Sequence, residues 1–203
     1  MQDGPNDPTP SSTDQAAARD ISPVPTCAKI RRLFWSILQN TLYRYSFHTF
    51  SRWRAFLLRL FGAKVGHRCT IRRTSKVYYP WLLEMGDLSC LGDHSEVYNL
   101  GRIVIGQRVS LSQYAYLCAG THDYTRVDMP LVTKPITIGD DAWICAKAFV
   151  GPGVTVGAGA IVAACAVAVK DVPAWTIVAG NPARPVKPRP PFASTPNTEA
   201  QLA

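Results

Sequence analysis

The chain has few acidic residues, and a long segment has none. Of its 203 residues, 14 are Asp or Glu and 22 are Lys or Arg. No acidic residue occurs between Asp20 and Glu84, whereas 12 of the 22 basic residues lie in that interval. The formal charge of +8 is therefore regional, and this part of the chain is expected to favour an anionic partner.

The six cysteines and four histidines are not spaced as metal ligands. They are Cys27, Cys69, Cys90, Cys118, Cys145, Cys165, His48, His67, His94 and His122. Because no close ligand pair occurs, no metal is expected, and a zinc-dependent anhydrase is disfavoured. The N-terminal residues lack the hydrophobic core of a signal peptide, so the cysteines are predicted to be reduced and structural, in the cytoplasm.

Residues 148–169 contain no charged residue, and this run of 22 residues is long enough by count to cross a membrane. Its glycines and proline argue against a stable helix. These residues are Gly151, Pro152, Gly153, Gly157 and Gly159. The glycines also do not complete the spacing of a dinucleotide-binding loop after a strand. We therefore predict neither a membrane span nor a nucleotide-binding loop here.

The same run has a period of six. An aliphatic residue opens nearly every block of six, and a small or β-branched residue follows four places later. The opening positions are Ile138, Ile144, Val150, Val156, Val162 and Ala168, and the later ones are Ala142, Ala148, Val154, Ala160, Ala166 and Val172. This period fits neither an amphipathic helix nor a simple alternating strand. It predicts a parallel β-helix, in which three hexapeptides close one triangular coil.

The period extends upstream with two breaks and a shift of two residues, from Ile103 to Ile105. It begins near Val65, is interrupted around Pro80 and Trp81, and gives roughly five coils over residues 63–180. Residues 120–135 have no inward aliphatic set and are predicted to form an external loop. Because a slender prism has little interior, we expect chemistry on its flanks, between subunits or on this loop.

The segments flanking the predicted β-helix have other compositions. Residues 1–28 are predicted to be a disordered tail because they are rich in Pro, Ser, Thr, Asp and Ala, and residues 181–203 a Pro-rich tail. Residues 29–62 place apolar residues at spacings of three and four, which predicts basic amphipathic helices.

Two interpretations of these helices are compatible. They could cap the open end of the β-helix, whose terminal coil exposes apolar surface. They could also lie against an anionic membrane surface, because they are basic and contain tryptophan. Nucleic acid is not an expected partner, because no recognised reader motif is present.

Several motifs together resemble a known family. The hexapeptide period, the Thr-His-Asp sequence at 121–123, the run IGDDAWI at 138–144 and the ending AGNPAR at 179–184 are similar to the left-handed β-helix sugar O-acetyltransferases. Residues 43–66, with the Tyr-Pro-Trp sequence at 79–81, more closely resemble the colanic acid biosynthesis acetyltransferases. The resemblance spans about residues 29–188. It implies an all-β solenoid, a left-handed parallel β-helix of hexapeptide repeats preceded by an N-terminal helical segment.

The resemblance also implies a homotrimer that holds acetyl-CoA, the acyl donor, in grooves between adjacent prisms. A loop histidine acts as general base in this family, and His122 matches it. Imidazole suits the removal of a proton from an alcohol near neutral pH. Asp123 could orient the ring, although a backbone carbonyl is an equal candidate. The sequence does not identify the donors for the oxyanion that develops.

Matching the family position by position places donor contacts on the later coils. Ala146 and Ala164 match positions whose small side chains admit the pantetheine arm. Lys170, Arg184 and Lys187 match positions that meet its phosphates, which favour cationic partners. Asn99 is a further candidate, for binding the acceptor.

The predicted function is transfer of an acetyl group from acetyl-CoA to a hydroxyl of a sugar, a lipid-linked saccharide or an exopolysaccharide precursor. The predicted location is the cytoplasm, with peripheral contact at the inner face of an anionic membrane. Two alternatives stay open: an N-acetyltransferase of an amino sugar, and a non-catalytic hexapeptide scaffold protein. The scaffold would not account for His122.

Overall fold

The computed structural model describes residues 26–192, which form a helical cap (residues 26–62) and a β-helical prism. The cap contains helix α1 at Thr26–Leu38, a π-helical turn at Gln39–Tyr43 and helix α2 at Ser51–Leu60. The last three residues of the predicted tail are therefore helical. The rest of that tail, residues 1–25, lies outside the described residues.

The prism is built from very short strands. In chain order they are β1 Lys64–Val65, β2 Thr70–Ile71, β3 Lys76–Val77, β4 Leu83–Met85, β5 Cys90–Leu91, β6 Glu96–Tyr98, β7 Ile103–Ile105, β8 Ser110–Leu111, β9 Tyr116–Cys118, β10 Gly120–His122, β11 Leu131–Thr133, β12 Ile136–Ile138, β13 Trp143–Ile144, β14 Phe149–Val150, β15 Thr155–Val156, β16 Ile161–Val162, β17 Val167–Ala168, β18 Thr176–Ala179 and β19 Arg184–Pro188. A 3₁₀ turn at Pro80–Leu82 forms the predicted interruption.

The strands form three sheets, and each coil contributes one strand to each of them. The first sheet has the order β1-β4-β7-β12-β15, and another has the order β3-β6-β9-β14-β17. The remaining sheet runs β2-β5-β8-β13-β16-β18 and ends on β19. All pairs are parallel except β18–β19 and the separate hairpin β10–β11. The chain thus makes five complete coils and begins a sixth, which confirms the predicted solenoid.

The hexapeptide positions form vertical columns inside the prism. In the first sheet, Val65, Met85, Ile105, Ile138 and Val156 are in register from coil to coil. All six opening residues from 138 to 168 are at most 1% exposed. Burial of such side chains contributes roughly 1.5–3 kcal/mol each, so these columns are the main stabilising feature of the prism.

Glycine and left-handed backbone occur at different positions in the corners. Gly139 lacks a side chain because an added Cβ would lie 2.5 Å from the backbone N of Ala158 in the next coil. The positive φ angles belong largely to other residue types, such as Asp141 at 62° and Lys147 at 59°. Gly139 and Gly157, which follow aliphatic positions, therefore permit close stacking of coils rather than the turn itself.

The helical cap closes the first coil through polar contacts as well as apolar ones. The buried Trp35 donates from Nε1 to the carbonyl of Val77 at 2.6 Å. The Arg54 side chain is fully buried, and its Nε donates to the carbonyl of Ile71 at 2.6 Å. Its guanidinium also donates to the carbonyls of Phe47 and His48. Capping of the open end, the first of the two interpretations, is therefore what the structure shows.

The C-terminal segment is more regular than a Pro-rich tail. Strand β19 pairs antiparallel with β18, with Val178 opposite Pro185 and Thr176 opposite Pro188. Proline is tolerated here because β19 is an edge strand whose outer side needs no N–H donor. Beyond it, Arg189 donates from Nη1 to the carbonyls of Asp141 and Gly159. Residues 193–203 lie outside the described residues.

Within residues 26–192, no helix has both the length and the hydrophobicity that a membrane crossing requires. The uncharged run at 148–169 belongs to coils of the prism, as predicted.

Candidate active site

The predicted external loop is a folded hairpin, which we call the arm (residues 120–135). It leaves the prism after β9 and returns at β12, and its strands β10 and β11 pair antiparallel with His122 opposite Leu131. The base of the arm is tight, because a Cβ on Gly120 would lie 2.8 Å from the side chain of Leu100. His122 is therefore held at the end of a short strand and remains exposed.

The ring of His122 has one defined partner. Its Nδ1 lies 2.7 Å from the carbonyl oxygen of Met129. Because a carbonyl only accepts, this hydrogen bond requires the proton on Nδ1. In the neutral ring Nε2 then carries the free lone pair, so the geometry selects the tautomer that a general base needs.

Asp123 does not orient the imidazole. Its Oδ1 accepts hydrogen bonds from the backbone N–H of Thr125 at 3.0 Å and from the Thr125 hydroxyl at 2.6 Å. The hydroxyl and then the N–H of Thr125 hold the pKa of the Asp123 carboxyl below its usual range. This differs from the expectation that Asp123 could orient the ring. An Asp favours this local turn because its short side chain reaches the backbone two residues on.

A second polar contact closes the tip of the arm. The guanidinium of Arg126 donates to both carboxylate oxygens of Asp128, at 2.9 and 2.6 Å. The N–H of Arg126 also donates to the carbonyl of Asp123 at 3.4 Å. These contacts shape the segment that leads to Met129, whose carbonyl holds His122.

The two predicted alanines lie on one corner of successive coils. Strands β13 and β16 are in register, so Ala146 and Ala164 stack about 4.8 Å apart. The N–H of Cys165 donates to the carbonyl of Ala146 at 3.0 Å, which ties the two coils together. Ala164 is exposed and Ala146 is half-buried. A corner with such small side chains leaves room for a narrow chain to approach the backbone.

Two of the three predicted phosphate contacts share a cavity. Lys170 and Arg184 line a cavity of about 230 Å³ on the last coils, with Asp171, Pro173 and other residues around them. The Asp171 carboxylate is engaged elsewhere, because Oδ1 accepts from the N–H of Thr155 at 2.8 Å. Lys187 lies on β19 opposite Ile177 and does not line this cavity.

Asn99 is a structural residue in this fold. It is fully buried, its Oδ1 accepts from the N–H of Tyr79, and its Nδ2 donates to the carbonyl of Tyr79 at 2.6 Å. Both polar groups of the amide are therefore used between neighbouring coils. Asn99 is not available to an acceptor in this geometry.

Cys145, which lies beside Ala146, is poorly suited to act as a nucleophile. All six cysteines are free, and burial raises the pKa of the Cys145 thiol, which disfavours the reactive thiolate. In the described part of the chain, no group of three or more His, Cys, Asp or Glu side chains could hold a metal ion.

Sequence reasoning allowed a backbone carbonyl as the partner of the His122 ring but did not identify it as that of Met129. A backbone acceptor has no residue-type signature, and the six residues between Met129 and His122 fold back through the turn that Asp123 and Thr125 form. A chain reversal within the arm could have been expected, because a short loop with both ends fixed on the prism must turn back.

Comparison with known proteins places this geometry among hexapeptide-repeat acetyltransferases. Residues 135–168 match the family model "Bacterial transferase hexapeptide (six repeats)". A protein of Escherichia coli strain K12 named for an acetyltransferase of colanic acid biosynthesis, WcaF, is 42% identical over 158 residues, 78% of this chain and 86% of that protein.

Two solved structures share the fold. A hexapeptide-repeat acetyltransferase of Vibrio cholerae in complex with acetyl-CoA has a TM-score of 0.75 at 24% identity, covering 87% of this chain and 99% of that chain. A galactoside acetyltransferase in complex with coenzyme A has a TM-score of 0.76 at 21% identity, covering 89% and 92%.

Proposed function

Because the chain belongs to the family of hexapeptide-repeat acetyltransferases related to colanic acid biosynthesis, we propose that it transfers an acetyl group from acetyl-CoA to a hydroxyl of a sugar. The observation that carries the proposal is the ring of His122, whose Nδ1 is held by a carbonyl while Nε2 is free to accept a proton. The acceptor is a sugar, a lipid-linked saccharide or an exopolysaccharide precursor.

His122 performs both proton transfers in this mechanism. Nε2 accepts the proton of the acceptor hydroxyl as its oxygen attacks the thioester carbonyl, which gives a tetrahedral oxyanion. As the oxyanion collapses, the C–S bond breaks, and the imidazolium returns its proton to the departing thiolate. The Met129 carbonyl supports the charged ring, because it accepts the Nδ1 proton in both states. The products are the acetyl ester and free coenzyme A.

The later coils bind the donor. The small corner at Ala146 and Ala164 fits the pantetheine arm, and the cationic cavity of Lys170 and Arg184 fits phosphate groups. Lys187 is a third, more distant cation for the same purpose. The fit rests on charge and side-chain size, since two cations and one carboxylate, that of Asp171, line the same cavity and leave it net positive.

The proposal includes a homotrimer, which the family resemblance implies, with the exposed arm of each prism facing a groove that a neighbouring prism completes. We assign it to the cytoplasm, at the periphery of an anionic membrane. Sedimentation equilibrium is expected to give three times the chain mass. A fully active monomer would contradict this part of the proposal.

The experiment that tests the function is an acceptor screen with acetyl-CoA. Free sugars, nucleotide sugars, amino sugars and lipid-linked oligosaccharides are compared by the release of coenzyme A thiol. Hydroxylamine treatment of the product separates the two chemistries, because it cleaves an ester and leaves an amide intact. We expect a hydroxylamine-labile product. A stable product formed only with amino sugars would show N-acetylation instead, and no thiol release with any acceptor would favour a scaffold.

A further inference from the structure

The helical cap has apolar side chains on the side opposite the prism. In α1, Trp35 and Leu38 pack inwards, whereas Ile30, Phe34 and Ile37, spaced by four and three, point the other way and are exposed. In α2 the buried Ala55 and Leu58 face the prism, and Trp53, Phe56 and Leu60 are exposed. We call these six exposed side chains the outer face.

The outer face is unusual for this molecule. Residues 30–60 hold 11 of the 21 exposed large hydrophobic side chains found in residues 26–192. Phe34 is 61% exposed and Leu60 is 63% exposed. A helix that is apolar on two opposite sides is normally buried on both, and the prism covers only one of them.

A groove continues the outer face between the π-helical turn and α2. It has a volume of about 700 Å³ and is lined mainly by Leu42, Tyr45, Phe47, Phe50 and Trp53. Tryptophan and tyrosine combine an apolar ring with a polar atom, which suits them to the boundary between headgroups and acyl chains.

The cap also carries basic side chains that have no acidic partner nearby. The side chains of Lys29, Arg44 and Arg52 form no ion pair with any described residue, and no acidic residue lies between Asp20 and Glu84. Glu84 itself is already bound by Lys64 and Arg102. A purely apolar partner would cover the outer face but leave these cations unexplained.

We infer that the outer face and its groove are a membrane-docking surface, and that its occupant is a bilayer containing anionic phospholipids. Apolar side chains enter the boundary of headgroups and acyl chains, while Lys29, Arg44 and Arg52 contact lipid phosphates. This deepens the peripheral location proposed above by assigning it to residues. The arm leaves the third coil, two strand spacings or about 10 Å from the first coil, so docking would hold His122 near the membrane.

Vesicle sedimentation tests the inference without acyl donor or acceptor. The probes are vesicles of phosphatidylcholine with phosphatidylglycerol, and vesicles of phosphatidylcholine alone, at low salt. The full chain should bind the anionic vesicles more tightly and be released by salt. Phe34→Gln should weaken binding at least about tenfold, as expected for one apolar ring withdrawn from the bilayer. Arg52→Gln should weaken it about fivefold.

Matched controls use an exposed leucine and an exposed cation of the prism. Leu88→Gln and Lys147→Gln should each leave vesicle binding within about twofold of the unaltered protein, since both are exposed residues of the prism and neither belongs to the outer face or its groove. Circular dichroism of each variant reports whether α1 and α2 are intact.

Three results would overturn the inference. One is the absence of binding to anionic vesicles, or equal binding to neutral ones. Another is an equal loss of binding in the Leu88→Gln and Phe34→Gln variants. The third is a change in the oligomeric state of Phe34→Gln in vesicle-free solution, which would identify the outer face as a contact between copies of this chain. Since no acyl transfer is measured, none of these results bears on acetyl transfer by His122.

Discussion

The arm and the prism are stabilised by different interactions. The prism buries columns of aliphatic side chains, and the column residues Leu111, Ile144 and Val162 have no exposed surface. The arm has almost no buried side chain and is held by hydrogen bonds such as Nδ1 of His122 to Met129 and the Arg126–Asp128 pair. Exposed pairs of this kind contribute only about 0–1 kcal/mol each.

Because of this difference, the residues that stabilise the fold are not the residues proposed to carry out the chemistry. A side chain on the arm can change without loss of the coils, because the coils do not depend on it for packing. The residues proposed to bind the donor are on the prism but at its corners and edge, where they also contribute little to the core. The comparison therefore predicts that binding of the donor, proton transfer and stability can be altered one at a time.

The largest expected effect on activity is that of His122→Ala. Loss of a general base typically lowers turnover about 10²- to 10⁴-fold, or roughly 3–5 kcal/mol of barrier. Affinity for acetyl-CoA, measured by calorimetry, should change little, because the proposed donor contacts lie on the later coils. Tyr124→Phe, on the exposed part of the same arm, is the control and should retain turnover.

Two outcomes would remove His122 from its assigned role. If His122→Ala retained more than about a tenth of normal turnover, the loss would be smaller than removal of a general base causes. Loss of donor affinity or of trimer assembly would show that the histidine is structural.

Leu111→Ala tests the contribution of the aliphatic columns to the stability of the prism. Removal of a fully buried leucine from an aliphatic column should lower the free energy of unfolding by about 2–5 kcal/mol. Urea unfolding at one protein concentration measures it, and Leu88→Ala, an exposed corner leucine, should stay within about 0.5 kcal/mol. Similar losses in both variants would mean that the columns do not dominate stability.

The double variant Lys170→Ala with Arg184→Ala should lower the affinity for acetyl-CoA without changing proton transfer. Charge-assisted hydrogen bonds contribute about 1.5–3 kcal/mol, so the Kd for acetyl-CoA should rise roughly 10- to 100-fold. Turnover at saturating donor should be unchanged, because His122 is untouched. Lys187→Ala, outside the shared cavity, should raise the Kd about threefold or less. An equal effect of Lys187→Ala would place the phosphates elsewhere.

The smallest expected effect distinguishes two roles for Asp123. If the carboxylate shapes the turn, Asp123→Asn should keep turnover within about threefold, because the amide oxygen can accept the same hydrogen bonds from Thr125. Asp123→Ala should lower turnover more, since the turn that positions Met129 loses its acceptor. A drop in Asp123→Asn as deep as in His122→Ala would instead indicate that the negative charge supports the imidazolium.

Positions that repeat along the chain were predictable. The period of six follows from the need of every coil to place one aliphatic side chain at the same point of each face, so Ile138, Val150 and Val162 could be assigned inwards from their spacing. The interruption near Pro80 and the arm at 120–135 were visible as failures of that spacing. The family resemblance, confirmed by the comparisons, added the acetyltransferase function that spacing alone does not contain.

Positions that depend on one contact between distant segments were not predictable. Asn99 looked available to an acceptor, and its burial against Tyr79 arises from the stacking of two particular coils. Strand β19 was not predicted because it contains prolines, which an edge strand tolerates and a central strand does not.

By itself, the sequence determined the coil and the cap helices, because each depends on local spacing, and the family resemblance singled out His122 as the proposed base. The tertiary structure decided the tautomer of His122, the turn that occupies Asp123, the shared cavity of Lys170 and Arg184 and the side of the cap that stays exposed. These features depend on which backbone carbonyl, coil or edge comes close in space, and one linear period repeated in every coil does not specify that.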